Sequence, residues 1–158
     1  RAGAKGAQSP RIQNEQLWFE PGITWNVVAS YLRAREMPQG AIFGHKAPLI
    51  RPLRWVKWLS HLSLLVLMNS DVLDFMLRTF LGSRMMVEVG DVRRLVIPVF
   101  STEQKQALES FATRAISAKQ SEDARKNGES LAKIEKELND YVRNLYSIPR
   151  SARLWVVR

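Results

Sequence analysis

Between Tyr31 and Trp58 the chain interleaves bases with aromatic and turn residues. From Arg33 to Lys57 there are six bases (Arg33, Arg35, Lys46, Arg51, Arg54 and Lys57) against one acid, Glu36. That net +5 is more than half of the +9 carried by all 158 residues, whose pI is near 10.4. Such a field attracts polyanions, meaning nucleic acid or an anionic membrane surface. Arg and Lys neutralise duplex phosphates and release counterions. An Arg fork also fits the O6 and N7 acceptors of guanine in the major groove. Arg33 and Arg35 have the same parity and would share one face of a strand, as a groove-reading hairpin requires. The candidate DNA contacts are these six bases together with His45 and, further along, Arg84. The bland alternative is a scatter of solubilising charges whose stems cover the tryptophans.

Other chemistries find little support. The chain has no cysteine, which removes disulfides, thiolate zinc sites and thiol catalysis. His45 and His61, the only histidines, lack ligand partners at suitable spacing. Asp71 and Asp74 read as helix-start carboxylates that suit the dipole, rather than as a catalytic pair. No G-x-S-x-G elbow, P-loop or G-x-G-x-x-G is present. Glu135-Lys136-Glu137 places Glu where a nuclease E-x-K has Lys, and it sits on a helix face where alternating charge is usual. The chain by itself is therefore expected to catalyse nothing and to hold no metal or cofactor.

The elements that must position the basic stretch are organised around residues 64–100. Residues 59–69 are apolar nearly all round, as in a buried helix. Ser70 or Asp71 then caps a second helix, 71–81, with Val72, Phe75, Met76 and Phe80 at helical spacing and Gly82 as its stop. Strands are expected at 84–89 and 95–100, joined by a Gly90-Asp91 turn. Upstream, strands are expected at 16–20 and 23–30 and a hairpin or wide loop at 32–43. Residues 45–52, with two prolines, should be irregular, and 54–58 should form an edge strand. Downstream, Ser101 and Gln104 match a capping box. Leu108, Phe111, Ala115 and Ile116 mark one amphipathic stripe, and Leu131, Ile134, Leu138, Tyr141, Val142 and Leu145 a second. A polar loop ending at Asn127-Gly128 joins them, so the pair should be antiparallel. The expected fold is α/β of the α+β type: a small twisted, mainly antiparallel sheet packed on helices, followed by the helix pair. The expected divisions are a flexible segment at 1–11, an α/β domain at 12–100, the helix pair at 101–149 and a tail at 150–158 with a short apolar patch around Trp155. No apolar run approaches the ~20 residues that span a bilayer, and no signal peptide is visible. The absence of an initial Met suggests a piece of a larger protein.

Three stretches resemble one family. GITWNVVASYLRAREMPQGAIF is similar to its G-I-T-W segment, with the following Arg, Pro-x-Gly turn and Phe. LLVLMNSDVLDFMLRTFLGSRMMVEVGDVRRLVIPVFSTEQ is similar to its L-x-x-L-N-S helix, V-G-D-hydrophobic-R-x-L run and I-P pair. LAKIEKELNDYVRNLYSIP is similar to its closing I-E-x-x-L-N-x-x-V-x-x-L-Y segment. Together these cover most of residues 22–149. The family is the large DNA adenine-N6 methyltransferases of the type IIG restriction–modification and phage-exclusion (BREX) kind. The matching region is their C-terminal target-recognition domain, which is similar to the recognition domains of type I specificity subunits. Val96 stands where a Pro is common, and Ser147 where a Gly is common. The methyl-donor motif and the Asn/Asp-Pro-Pro-aromatic motif are missing. The resemblance thus implies a non-catalytic recognition module for double-stranded DNA. Its partner would be a methyltransferase domain of the same parent chain, using S-adenosylmethionine in a bacterial or archaeal cytoplasm, away from membranes. In the family the shared motifs are mostly scaffold, so no base contact carries over to a numbered residue here.

Three rival readings make distinct structural demands. An RNA-binding module needs Trp55 and Trp58 exposed along a groove to stack bases. A protein-interaction domain needs an exposed apolar stripe on the 131–145 helix. A small enzyme needs a deep polar pocket.

Overall fold

A computed structural model describes residues 14–29, 31–44, 46–53, 55–79, 86–120, 130–149, 151–152 and 154. The fold is α+β, with a three-stranded antiparallel sheet and helices packed against it. Strand β1 (Gly22–Trp25) lies between β2 (Ala34–Met37) and β3 (Leu49–Ile50). The register pairs Thr24 with Arg35 on one side and with Leu49 on the other. All four β1 residues are buried, so the central strand is covered on both faces. Gly22 is required by close approach: a Cβ there would run into the side chain of Leu49 and lie 3.0 Å from the Ile50 carbonyl.

Helix α1 (His61–Met68) is the element on which the others pack. Residues Ser63 to Met68 are all buried, as its all-round apolar sequence requires. Ser60 caps it and closes a reciprocal box with Ser63. Asn69 ends it, and the Ser70 hydroxyl accepts from Leu73 N–H at 3.4 Å to start α2 (Asp71–Thr79). After a single helical turn, α3 (Val89–Val92), comes α4 (Thr102–Gln120), which opens on the expected box. Gln104 N–H donates to Ser101 Oγ at 3.2 Å and Ser101 N–H to Gln104 Oε1 at 2.9 Å. The last helix is α5 (Leu131–Leu145). Phe111 meets Tyr141 at 5.6 Å and Arg114 meets Glu137 at 2.6 Å, so α4 and α5 run antiparallel. One core cluster runs from Ile23 and Trp25 through α1 to Leu108, Leu138 and Val142.

Several local expectations are corrected. Residues 16–20 are not a strand: Glu15–Leu17 is a 3-10 turn, and Phe19 has φ 64°. Phe19 is tied instead to the turn at Pro38–Ala41, through Phe19 N–H to Ala41 O and Gly40 N–H to Phe19 O. The strand expected over 23–30 ends at Trp25, and Val28 adds only an isolated bridge to Met86. The hairpin is β1 against β2, not a unit within 32–43. Within 45–52 a two-residue strand forms, kept short by Pro48 and Pro52, which have no N–H to donate. The described part of 54–58 is a turn, closed by Val56 N–H to Leu53 O at 2.9 Å. Gly90-Asp91 lies inside α3, where Asp91 Oδ2 accepts from Glu88 N–H. Residues 95–100 pair with no strand among the described residues, and Tyr146 Oη donates to Val96 O at 2.8 Å. The buried side of α2 is Val72, Leu73, Asp74 and Leu77, with Phe75 and Met76 only half-buried. That side is turned toward Leu32, whose N–H donates to Asp74. The segment at 1–11, residues 84–85, Phe80, Gly82, the Asn127-Gly128 turn and Trp155 lie outside the described residues.

Candidate nucleic-acid interface

The two faces of the sheet differ in what covers them. Ile23, Trp25, Ala34 and Ile50 belong to the main core, with α1 packed on β1 and β2. Glu36, paired with Ile23, is on this side too, and His61 of α1 approaches it at 3.6 Å. Directly paired residues of antiparallel strands share a face. Thr24, Arg35 and Leu49 therefore share the opposite face, away from α1. Val27 and Met37 are buried but stand apart from the main core cluster.

Arg35 is exposed on this outer face, and its Nη1 donates to Asn26 Oδ1 at 3.0 Å. Arg33, also exposed, precedes β2 in the same phase and lies at the Trp25 end of the sheet. Its guanidinium carbon sits 4.0 Å from the centroid of the Tyr31 ring. Lys46 is exposed at the same end, on the other flank of β1, where its carbonyl accepts from Val27 N–H at 3.2 Å. Two flanking strands stand roughly 10 Å apart across a central one. Arg33 and Arg35 on one flank of β1 and Lys46 on the other thus place three cations at one end of the sheet.

The remaining described candidates lie elsewhere. Arg51 follows β3 at the Gly22 end, and its Nη1 is held by Glu20 Oε2 at 3.0 Å, with both side chains partly exposed. An ion pair this exposed is weak, so Glu20 screens Arg51 without removing it from play. Lys57 is exposed beside the start of α4, where its carbonyl accepts from Lys105 Nζ at 3.1 Å. His45, Arg54 and Arg84 lie outside the described residues.

Sequence reasoning passed over the residues that hold the cationic end in place. Asp74 does lie in the first turn of α2, where a carboxylate suits the dipole, but it also makes long-range bonds. It is buried, accepts Leu32 N–H at 2.7 Å and is bridged by Arg78 at 3.2 Å. Asn69 bonds both backbone groups of Ala34, accepting its N–H at 3.1 Å and donating to its carbonyl at 3.0 Å. Tyr31, the stacking partner of Arg33, could have been found from its i, i+2 spacing in an extended stretch. Asn69 and Asp74 carry no comparable sequence signal, because their partners lie 35 and 42 residues away.

No protein-family model, curated protein or solved structure matches this chain. Among the described residues no helix is long and apolar enough to cross a membrane.

Proposed function

We propose that this chain is a sequence-specific double-stranded DNA recognition module. It would serve a restriction–modification or phage-defence adenine-N6 DNA methyltransferase. The catalytic domain, and the S-adenosylmethionine it uses, would belong to a parent chain, which flips the target adenine and methylates N6. The observation that carries DNA binding is the group of Arg33, Arg35 and Lys46 at the Trp25 end of the sheet, within a chain of charge +9. The methyltransferase context rests on the resemblance of residues 22–149 alone. Upstream sequence of the parent gene carrying methyl-donor and adenine-pocket motifs would support it, and their absence there would refute it.

Binding to a fluorescent duplex, titrated with salt, tests the first part. Each neutralised phosphate contributes a slope of about −0.9 to log K against log[salt]. Two or three contacts predict a slope near −2 to −3, and Arg33→Ala with Arg35→Ala should weaken binding. An affinity indifferent to ionic strength contradicts the reading. One observation favours a second reading: Trp55 is 74% exposed and offers a stacking face to single-stranded RNA. Trp58 offers none, being half-buried edge-on against Phe100 at 6.0 Å. A single-stranded RNA competitor that displaces the duplex, and loses that power with Trp55→Ala, would favour RNA. The helix pair does not supply the apolar stripe a protein-interaction domain needs, since Ile134, Leu138 and Val142 are buried within the fold.

A further inference from the structure

Arg33 differs from the other described bases near the sheet in how it is held. Its backbone is fixed on both sides by side chains from the junction of α1 and α2, the buried Asp74 and the exposed Asn69. Before it, Leu32 N–H donates to Asp74 Oδ1 at 2.7 Å, and Leu32 is itself buried in the core. After it, Ala34 exchanges two hydrogen bonds with the Asn69 amide, which also donates to Leu65 O at 2.9 Å. The side chain between these anchors is exposed, with its guanidinium 4.0 Å over Tyr31. A guanidinium lying flat at this distance offers one face to the ring and leaves its N–H donors, which lie in the plane, available. No carboxylate pairs with Arg33 among the described residues, whereas Arg51 is held by Glu20 and Arg35 by Asn26.

This arrangement suits recognition of a planar pair of acceptors more than neutralisation of a phosphate. A phosphate needs charge and tolerates a mobile side chain. A base edge needs two donors held in one plane at a fixed register. An arginine whose plane is preset gives up less rotamer freedom on binding. In the major groove, guanine alone offers two adjacent acceptors, O6 and N7. Resting on the DNA-binding reading, we infer that Arg33 reads a guanine in the major groove. Tyr31 presets the guanidinium plane, and Asn69 and Asp74 are positioning residues that fix the backbone around it. Arg35 and Lys46 then set register on phosphates.

The test is selection of this chain on duplexes with randomised central base pairs, read by sequencing, alongside salt titrations. The wild-type chain should enrich guanine at one position. Arg33→Lys keeps the charge but loses the fork. It should erase that preference alone and weaken the selected site about 10- to 100-fold, leaving the other positions and the salt slope unchanged. Tyr31→Leu should weaken the same site about 2- to 5-fold. Asn69→Ala should blur the same position and no other, which general loss of stability would not do. The inference fails if Arg33→Lys binds every duplex as the wild type does while Arg33→Ala weakens all of them and lowers the slope by about one. Arg33 is then a phosphate contact. It also fails if salt-dependent binding is present but no guanine is enriched. Absence of salt-dependent duplex binding by the wild type overturns this inference and the DNA-binding reading together.

Discussion

Ser147 shows how much a single backbone conformation can hold. It has φ 54°, a left-handed value that L side chains pay for with roughly 1–2 kcal/mol. It follows the last turn of α5, where Ile148 N–H donates to Arg143 O at 2.9 Å and Ser147 N–H to Asn144 O at 3.0 Å. These are the two bonds of a Schellman cap, in which glycine is the usual left-handed residue. The hydroxyl is exposed, and the turn forms despite the serine because Pro149 ends the helix immediately after. Ser147→Gly should therefore stabilise the protein by about 1 kcal/mol, the relief of strain being partly offset by the greater freedom of glycine in the unfolded chain. A rise in the urea midpoint at unchanged slope checks this. A fall would mean that the serine contributes a contact beyond its conformation.

At the scale of elements, what was legible in the sequence divides by the range of the interactions involved. Helices α1, α2, α4 and α5 could be read because caps and apolar spacing are local: Ser70, Ser101 and the Ile134–Leu138–Val142 stripe specify them within a turn or two. The strands were less legible. Residues 16–20 and 95–100 have strand composition but no strand partner among the described residues, while Leu49–Ile50 is a strand because β1 lies beside it. Of the candidate site, the exposed arginines could be read, but not the long-range bonds from Asn69 and Asp74. The 95–100 segment, lacking a ladder, is fastened by Tyr146. Burial pushes the Tyr146 hydroxyl up to about 12, against about 10 in an unfolded chain, and shifts Tyr141 in the same direction. The folded state thus holds these protons more tightly than the unfolded one. The associated stability is fully present below pH about 10 and is lost as pH rises toward about 12. Tyr146→Phe should cost about 0.5–1 kcal/mol at neutral pH, since water can replace the lost bond at exposed Val96. It should also make the alkaline loss of stability shallower. Urea midpoints across that range test the sign, and a steeper alkaline decline in the variant would refute the assignment.

For the whole molecule, the question is whether the sheet and the helix pair are separable. Helix α1 is apolar on every side, and α4 covers one of those sides. The cluster that contains Ile23 and Trp25 of the sheet also contains Leu108, Ala112, Leu138 and Val142. The backbone N–H of Asp71 is accepted by Asn139 of α5 at 2.9 Å, so α2 is fastened to the pair as well. Fully burying an aliphatic side chain stabilises by about 1.5–3 kcal/mol, so Leu108, Ile134, Leu138 and Val142 together account for roughly 6–12 kcal/mol. That is about the whole net stability of a domain this size. A chain ending at Phe100 should consequently fail to fold, giving a collapsed NMR spectrum and exposing α1 to aggregation. In the full chain, near-ultraviolet and far-ultraviolet circular dichroism should report a single coincident unfolding transition. Two separated transitions, or a dispersed spectrum from residues 1–100, would show that the sheet carries its own core. The Arg33 corner would then be supported without the helix pair. Coincidence would mean that Asn69 and Asp74 hold Arg33 only as firmly as α4 and α5 hold α1 and α2, so that, on the proposed DNA-binding reading, core substitutions in α5 should reduce duplex affinity from a distance.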